Sequence, residues 1–187
     1  MMSTLLLAAA VAIPNGFMLY EKAAAKKDDN PEHSWEVTRR TSAKLVVNPC
    51  DRSTLARSGR EAAKTLIYTA VPDYSKSEQV ILYTSKATAK KAMRDLRAAV
   101  RACGTKNYRY SGKKVKLGDE SLAVIGQAYS RGKPAIGGER GIVTRRANAL
   151  VIYTVGGEWG PPATADFRMQ LKDSRKMLGK ICKIAAC

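Results

Sequence analysis

Residues 142–155 read IVTRRANALVIYTV and form the longest run of β-forming residues in the chain. Arg145-Arg146-Ala147-Asn148 interrupt this run, three of the four with polar side chains. Asparagine tolerates the left-handed backbone that a tight turn between strands requires. The stretch therefore predicts a β-hairpin, and the remaining elements are interpreted around it.

Other segments are also rich in β-branched and aromatic residues, and we predict strands at 63–71, 79–84, 107–117 and 122–129. The first two predict a second hairpin with a long loop between them. Residues 131–141 contain four glycines and a proline and predict a loop. Residues 38–47 leave helix and strand open, and residues 21–34 predict a polar surface loop.

Apolar residues recur at intervals of three and four in 88–103, which predicts the clearest helix, with Ser85 as its N-cap. A short apolar helix over 3–12 and a last helix over 164–185 are also expected. Strands joined by hairpins and followed by helices are typical of an α+β fold. We therefore predict a single domain, 1–187, with an antiparallel sheet and helices packed on one face.

The chain is strongly basic, with 33 Lys and Arg against 16 Asp and Glu and a formal net charge of +17. Residues 86–116 hold 11 basic side chains and one acidic side chain, Asp95. Such a field attracts anions, although it also serves solubility alone. The stripe formed by Lys90, Arg94, Arg97 and Arg101 is expected to face solvent. No sequence motif of specific nucleic-acid recognition is present.

The sequence carries few signs of catalysis. It has a single histidine, His33, and lacks the GxSxG, P-loop and HExxH patterns. Asp119 and Glu120 are adjacent, so a strand would point them to opposite faces, which suits a structural role better than paired acid–base catalysis. We expect no enzymatic activity, no cofactor and no metal site.

The four cysteines admit three pairings and show neither CxxC nor zinc spacing. Cys50 lies in a predicted turn and Cys103 at the buried end of the clearest helix, so a disulfide between these two is favoured. Cys182 and Cys187 then remain, either bonded in an unwound final turn or as free thiols. Two disulfides are typical of an exported domain.

The apolar stretch 5–13 ends near a sequence that imitates a signal cleavage site, but no basic residue precedes it. We therefore interpret it as part of the folded domain and expect that the true export signal has been removed from this sequence. The expected location is secreted or in the cell envelope, whether or not a lipid anchors the precursor.

Several motifs occur together in order along most of the chain. They are LLLAAAVAIPNGFML at the start, Cys50 ahead of KTLIYTA and EQVILYTS, a helix ending in Cys103-Gly104, the turn Gly118-Asp119-Glu120-Ser121, and IVTRRANALVIYTV. This arrangement resembles the PknH-like extracellular sensor domain family of actinobacteria. The resemblance implies an antiparallel sheet flanked by helices, with a cleft on the open face, and ligand sensing rather than catalysis.

The chain departs from that family pattern in three ways. Ala147 stands where the pattern has glycine, Gly156-Gly157 stand roughly where a cysteine of the second family disulfide would be, and Cys182 and Cys187 do not match that disulfide. Some members of the family are joined to Ser/Thr kinases. This sequence contains no kinase domain, and for that reason we do not expect this domain to act on a kinase.

The predicted function is that of a non-enzymatic extracytoplasmic sensor for an anionic or amphipathic small molecule. The alternative is a cationic surface protein that binds anionic wall polymer or nucleic acid without specificity. The candidate ligand-binding residues are Arg145, Arg146, Tyr83 and Tyr153. Neighbouring side chains of a strand alternate between faces, so one of the two arginines is expected to point to the open side of the sheet and grip a carboxylate or phosphate.

Overall fold

The computed structural model describes residues 12–51 and 54–187. The predicted helix over 3–12 lies outside these residues apart from its last position. In chain order the elements are α1 Glu21–Ala24, β1 His33–Thr38, β2 Arg60–Ala70, β3 Tyr74–Tyr83, α2 Lys86–Ala102, β4 Tyr108–Val115, β5 Glu120–Ser130, β6 Lys133–Arg146, β7 Ala149–Gly157, a 3-10 turn Thr164–Phe167, α3 Arg168–Leu178 and a 3-10 turn Ile181–Lys183. No helix within the described ranges has the length and apolar character to span a membrane.

All seven strands form one antiparallel sheet in the order β1-β2-β3-β7-β6-β5-β4. The predicted hairpin over 142–155 is confirmed as the inner part of β6 and β7, with its turn at Ala147 and Asn148. Strands β3 and β7 pair at the centre, and β1 and β4 form the two edges. The α+β class predicted from the sequence is therefore confirmed.

Several boundaries differ from the predictions. The β2–β3 connection is only residues 71–73, because Tyr74 to Glu78 already pair with β2. The segment 21–34 contains α1 and the start of β1, and only 25–32 lacks a regular element. The ambiguous stretch 38–47 contributes one residue, Thr38, to a strand. The last helix ends at Leu178, ahead of Gly179, instead of continuing to 185.

The glycine-rich segment 131–141 was predicted to be a loop, and this prediction is wrong. Most of it is the outer half of β6, paired with β5. The glycines serve close packing here: a Cβ atom on Gly138 would collide with the carbonyl oxygen of Gly126 on β5. Glycine enrichment is typical of loops, but in this strand it permits close backbone approach.

One face of the sheet is covered by α2. The helix begins at the Ser85 N-cap, whose hydroxyl accepts the backbone N–H of Thr88, and its buried residues repeat at three and four. They pack on apolar side chains of β3, β5, β6 and β7, among them Ile81, Leu122, Val143 and Ile152. We call this the α2 face.

The opposite face, called the α3 face, is covered by α3 and by residues 13–24. The Glu78 carboxylate on β3 holds the latter segment: it accepts the backbone N–H groups of Leu19 and Tyr20, each within 2.8 Å, and the Tyr153 hydroxyl. Helices therefore lie on both faces, not on one as predicted. The central strands β3 and β7 are buried on both sides, so both faces require a cover.

Arg140 is fully buried on the α3 face of β6. Its guanidinium donates to the Asp166 carboxylate at 3.0 Å and to the Gln127 side chain at 2.9 Å. It also donates to three backbone carbonyl oxygens, those of Gly126, Glu139 and Gly160. A permanently charged group in the core is tolerated only with such a set of partners. Arg140 thus joins β5 and β6 to the segment that leads into α3.

The structure pairs Cys50 with Cys103 and Cys182 with Cys187, the arrangement that the sequence favoured. The first bond, with Cα atoms 5.8 Å apart, ties the turn at Cys50 to the end of α2. The second joins residues beyond α3, where the chain has left the regular helix.

We predict that the two disulfides differ in their contribution to stability. The Cys50–Cys103 bond spans 53 residues and the Cys182–Cys187 bond spans 5. In the chain-entropy model their removal costs about 4 and about 2 kcal/mol, respectively. Urea unfolding of the C50S/C103S and C182S/C187S double variants should show this order, and non-reducing peptide mapping should recover both links. Equal losses in the two variants would contradict the model.

A second prediction concerns Glu139, on the α2 face of β6. Burial raises the pKa of this carboxyl to about 7, although a backbone hydrogen bond from Asn48 acts to lower it. The Oε1 atom of Glu139 has no hydrogen-bond partner among the described residues. The folded state therefore retains a proton that the unfolded chain has released, so this group lowers stability progressively as pH rises from about 4.5 to about 7.

The Glu139→Gln variant removes this titration. It should unfold with a free energy about 3 kcal/mol higher than the parent chain at pH 8, and should match it near pH 4. Chemical denaturation across this pH range measures the difference. Glu36→Gln, at an exposed position of β1, is the matched control and should show no such dependence. A pH-independent difference for Glu139→Gln would contradict the prediction.

Candidate functional site

A cleft of about 930 Å³ lies on the α2 face, between the C-terminal half of α2 and the strands β4 and β5. We call it the basic cleft. Its lining combines four basic side chains, two acidic side chains and an apolar floor: Arg97, Val100, Arg101, Gly112, Lys114, Val115, Lys116, Leu117, Gly118, Asp119, Glu120 and Leu122.

The helical repeat positions the basic wall on the α2 side. Arg97 and Arg101 are four residues apart, so they lie one above the other on the same face of the helix. Lys114 projects from β4 on the same side of the sheet as Leu122 of β5, with which it is paired. Lys116 follows directly after β4.

Three of these cations are exposed, and none of the three has an ion-pair partner in the part of the chain that the structure describes: Arg101, Lys114 and Lys116. The floor between them is apolar. Val100 and Leu122 approach Gly112 so closely that a Cβ atom there would lie 3.3 and 3.0 Å from their side chains. Glycine at this position lets the edge strand pack against the helix.

A network of ion pairs closes one end of the cleft. Glu120 accepts hydrogen bonds from Arg97 and from Arg145, each at 2.6 Å, and Asp119 accepts a second hydrogen bond from Arg145 at 2.9 Å. Partial burial acts to raise the pKa of the Glu120 carboxyl, but the hydrogen bonds from Arg145 and Arg97 outweigh it and hold the pKa below its usual value. The acidic groups of the cleft are thus neutralised by their own arginines.

The two arginines singled out from the sequence lie on opposite faces of β6. Arg145 belongs to the α2 face, and its remaining contact is a hydrogen bond to the carbonyl oxygen of Ala147 at 2.9 Å. Arg146 is about half exposed and donates to Asp119 at 3.3 Å. Arg145 therefore acts within the closing network, and the grip of either guanidinium on a ligand stays a prediction.

The two predicted tyrosines are fully buried. Tyr83 lies on the α2 face, where its hydroxyl donates to the carbonyl oxygen of Ala56, and burial raises its pKa to about 12. Tyr153 lies on the α3 face, where its hydroxyl donates to Glu78 at 2.5 Å, and burial together with that carboxylate raises its pKa. The four predicted residues are therefore not brought together in one site.

Sequence reasoning did not identify the cleft residues as a set. The excess of basic side chains in 86–116 was the available signal, and it spans both walls. Arg101 was assigned to a solvent-facing stripe, and it is exposed, but it also borders the cleft. Within 12–51 and 54–187, no three His, Cys, Asp or Glu side chains are grouped as a metal site would require.

No protein-family model matches the chain, and no curated protein matches it. Solved structures do show similarity to the chain. The X-ray structure of a putative uncharacterized protein (Rv0999 ortholog) from Mycobacterium smegmatis aligns with a TM-score of 0.37 at 12% identity, over 79% of this chain and 90% of that chain.

The crystal structure of the extracellular domain of PknH from Mycobacterium tuberculosis aligns with a TM-score of 0.53 at 14% identity. The alignment covers 80% of this chain and 83% of that chain. The arrangement of strands and helices described above is therefore similar to the fold of that extracellular domain.

Proposed function

We propose that this chain is an extracytoplasmic ligand-binding domain of the sensor type, and that it holds a small anion with an apolar part in the basic cleft. One observation carries the proposal: Arg101, Lys114 and Lys116 border the cleft without ion-pair partners among the described residues, while Arg97 and Arg145 neutralise the nearby acids. The uncompensated charge of the cleft is positive.

The chemistry of the lining defines the ligand class. A carboxylate or phosphate accepts charge-assisted hydrogen bonds from guanidinium and ammonium groups, which are stronger than neutral ones. Val100, Leu117 and Leu122 offer apolar contact beneath these groups. A concave, partly apolar surface with a few convergent polar groups is typical of small-molecule sites.

Two observations support a location outside the cytoplasm. Disulfides persist in oxidising compartments, and the structure contains two within 187 residues. The fold is also similar to that of the extracellular domain of PknH. Membership of the PknH-like sensor domain family is part of this proposal, whereas coupling to a kinase is not.

The placement of titratable groups supports binding without catalysis. The carboxylates of the cleft are both engaged with Arg145. The buried carboxyl groups Glu78 and Glu139 lie on opposite faces of the sheet, so they cannot act on one substrate as an acid–base pair. His33 lies on β1, at the sheet edge opposite to β4.

The alternative is nonspecific binding of an anionic wall polymer or nucleic acid. It is favoured by exposed basic residues that continue beyond the cleft, namely Lys90, Arg94, Arg109 and Lys113. Polymer binding to such a surface depends steeply on salt, because it releases condensed counterions. A single small dianion held in a cleft depends on salt less steeply.

The proposal predicts that phenyl phosphate binds the cleft, because its ring and its dianion match the floor and the cations. Chemical-shift titration should place the largest changes at residues 97–101 and 112–118. Arg101→Glu and Lys116→Glu should each weaken binding at least tenfold, because each replaces an attraction by a repulsion. Inorganic phosphate, which lacks the ring, should bind more weakly than phenyl phosphate.

Lys90→Glu is the matched control, because it makes the same charge change on an exposed position of α2 outside the cleft. It should change phenyl phosphate affinity less than twofold. Equal losses from Lys90→Glu and Arg101→Glu would overturn the cleft assignment. Polyphosphate binding that falls steeply with salt, without saturable phenyl phosphate binding, would support the polymer alternative instead.

A further inference from the structure

A second concavity lies on the α3 face, behind the same edge of the sheet. This groove of about 270 Å³ lies between β4 to β6 on one side and the start of α3 with its preceding 3-10 turn on the other. Its lining is mostly apolar: Lys113, Lys114, Val115, Ala123, Ile125, Ile142, Pro162, Ala163, Thr164, Phe167 and Leu171. We call it the apolar groove.

The groove has its own hydrophobic cluster, separate from the two larger ones that cover the sheet. Ala123, Ile142 and Phe167 are buried in it, and Val115, Ile125 and Leu171 are partly buried around them. Strand alternation explains the grouping, since Ala123 and Ile125 point to the same side of β5. The cluster remains open where the strands extend past the helix.

The position of α3 leaves this opening. Arg140 and Asp166 fix the turn before the helix, and α3 then packs mainly against β6 and β7. The outer strands β4 and β5 extend beyond it. Apolar side chains that another element would cover in the centre of the sheet therefore line a groove at its edge.

The rim of the groove is basic. The side chain of Lys113 contributes to it from β4, and the lining includes no acidic side chain. Lys113 points to the α3 face and is exposed, without an ion-pair partner among the described residues. An apolar trough with a cation at its rim matches a molecule that has an apolar chain and an anionic head.

We propose that the apolar groove binds a free single-chain anionic amphiphile, such as a fatty acid, with its acyl chain along the cluster and its head at Lys113. A methylene group occupies about the volume of a water molecule, roughly 30 Å³, so the groove holds a chain of roughly nine carbons. Burial of such a chain is favourable by the ordinary hydrophobic effect.

This site is distinct from the basic cleft. The two lie on opposite faces of β4 and share lining residues only where that edge strand separates them, at Lys114 and Val115. The proposal therefore does not depend on an anion in the cleft, and variants confined to one site can test it without disturbing the other.

The first test measures affinity against chain length by calorimetry, with hexanoate, octanoate, decanoate, dodecanoate and tetradecanoate below their aggregation limits. Each buried methylene should tighten binding about fourfold. The gain should stop near ten carbons, where the groove is full. Affinity that does not change with chain length, or that rises without a plateau, would overturn the proposal.

The second test uses variants against decanoate. Ala163→Trp places a bulky side chain at the exposed rim of the groove and should weaken binding more than tenfold. Lys113→Glu should weaken decanoate binding at least fivefold but leave the fourfold gain per methylene. Lys176→Glu, an equal charge change on an exposed position of α3 outside both concavities, should alter it less than twofold.

Three further measurements distinguish binding of a fatty acid from binding of other partners. Decyltrimethylammonium has the same chain with a cationic head and should bind at least tenfold more weakly than decanoate. Equal affinity for both would overturn the role of Lys113. Binding to phosphatidylglycerol vesicles without decanoate binding would identify a membrane surface as the partner, and a dimer that Ala163→Trp dissociates would identify a second copy. Either result would overturn the proposal.

Discussion

A buried positive charge constrains much of this structure. Arg140 cannot lose its proton, so its burial requires hydrogen-bond acceptors for its guanidinium. Those acceptors come from β5, from the connection after β7 and from the turn before α3. The arginine thus holds the turn before α3 against β5 and β6. Breaking a buried pair of this kind typically costs about 3–5 kcal/mol.

The elements that could be predicted from the sequence are those specified by local pattern. The hairpin over 142–155 can be predicted from its two apolar runs and the polar interruption between them. Helix α2 can be predicted from its apolar repeat and its N-cap residue. The favoured cysteine pairing had a similar basis, since Cys103 could be placed on the buried side of α2 before any tertiary contact was known. Helices on both faces could have been anticipated from the continuous apolar runs of β3 and β7.

The remaining features depend on contacts between distant segments. Segment 131–141 looks like a loop until β5 is placed beside it, where Gly138 allows the close approach and Arg140 finds its partners. Tyr83 and Tyr153 are both β-strand tyrosines in the sequence, and only the register of β3 and β7 shows that they enter opposite cores. The basic cleft lies between consecutive elements, α2 and β4, but the sequence does not show how the strand packs against the helix. The apolar groove could not be predicted, because it joins β4 to the start of α3, which is distant in sequence.

The edge position of β4 has a consequence beyond its two neighbouring concavities. An edge strand exposes unpaired backbone groups, and these invite hydrogen bonding to an edge of another molecule. Here the edge displays Arg109, Lys113 and Lys114, all exposed, along a single strand of eight residues. If two such edges paired, their like charges would be brought close together. Lysine on an edge strand is known to disfavour this kind of edge-to-edge pairing. The basic residues for which we propose a role in anion binding thus also oppose edge-to-edge association of this strand with another molecule.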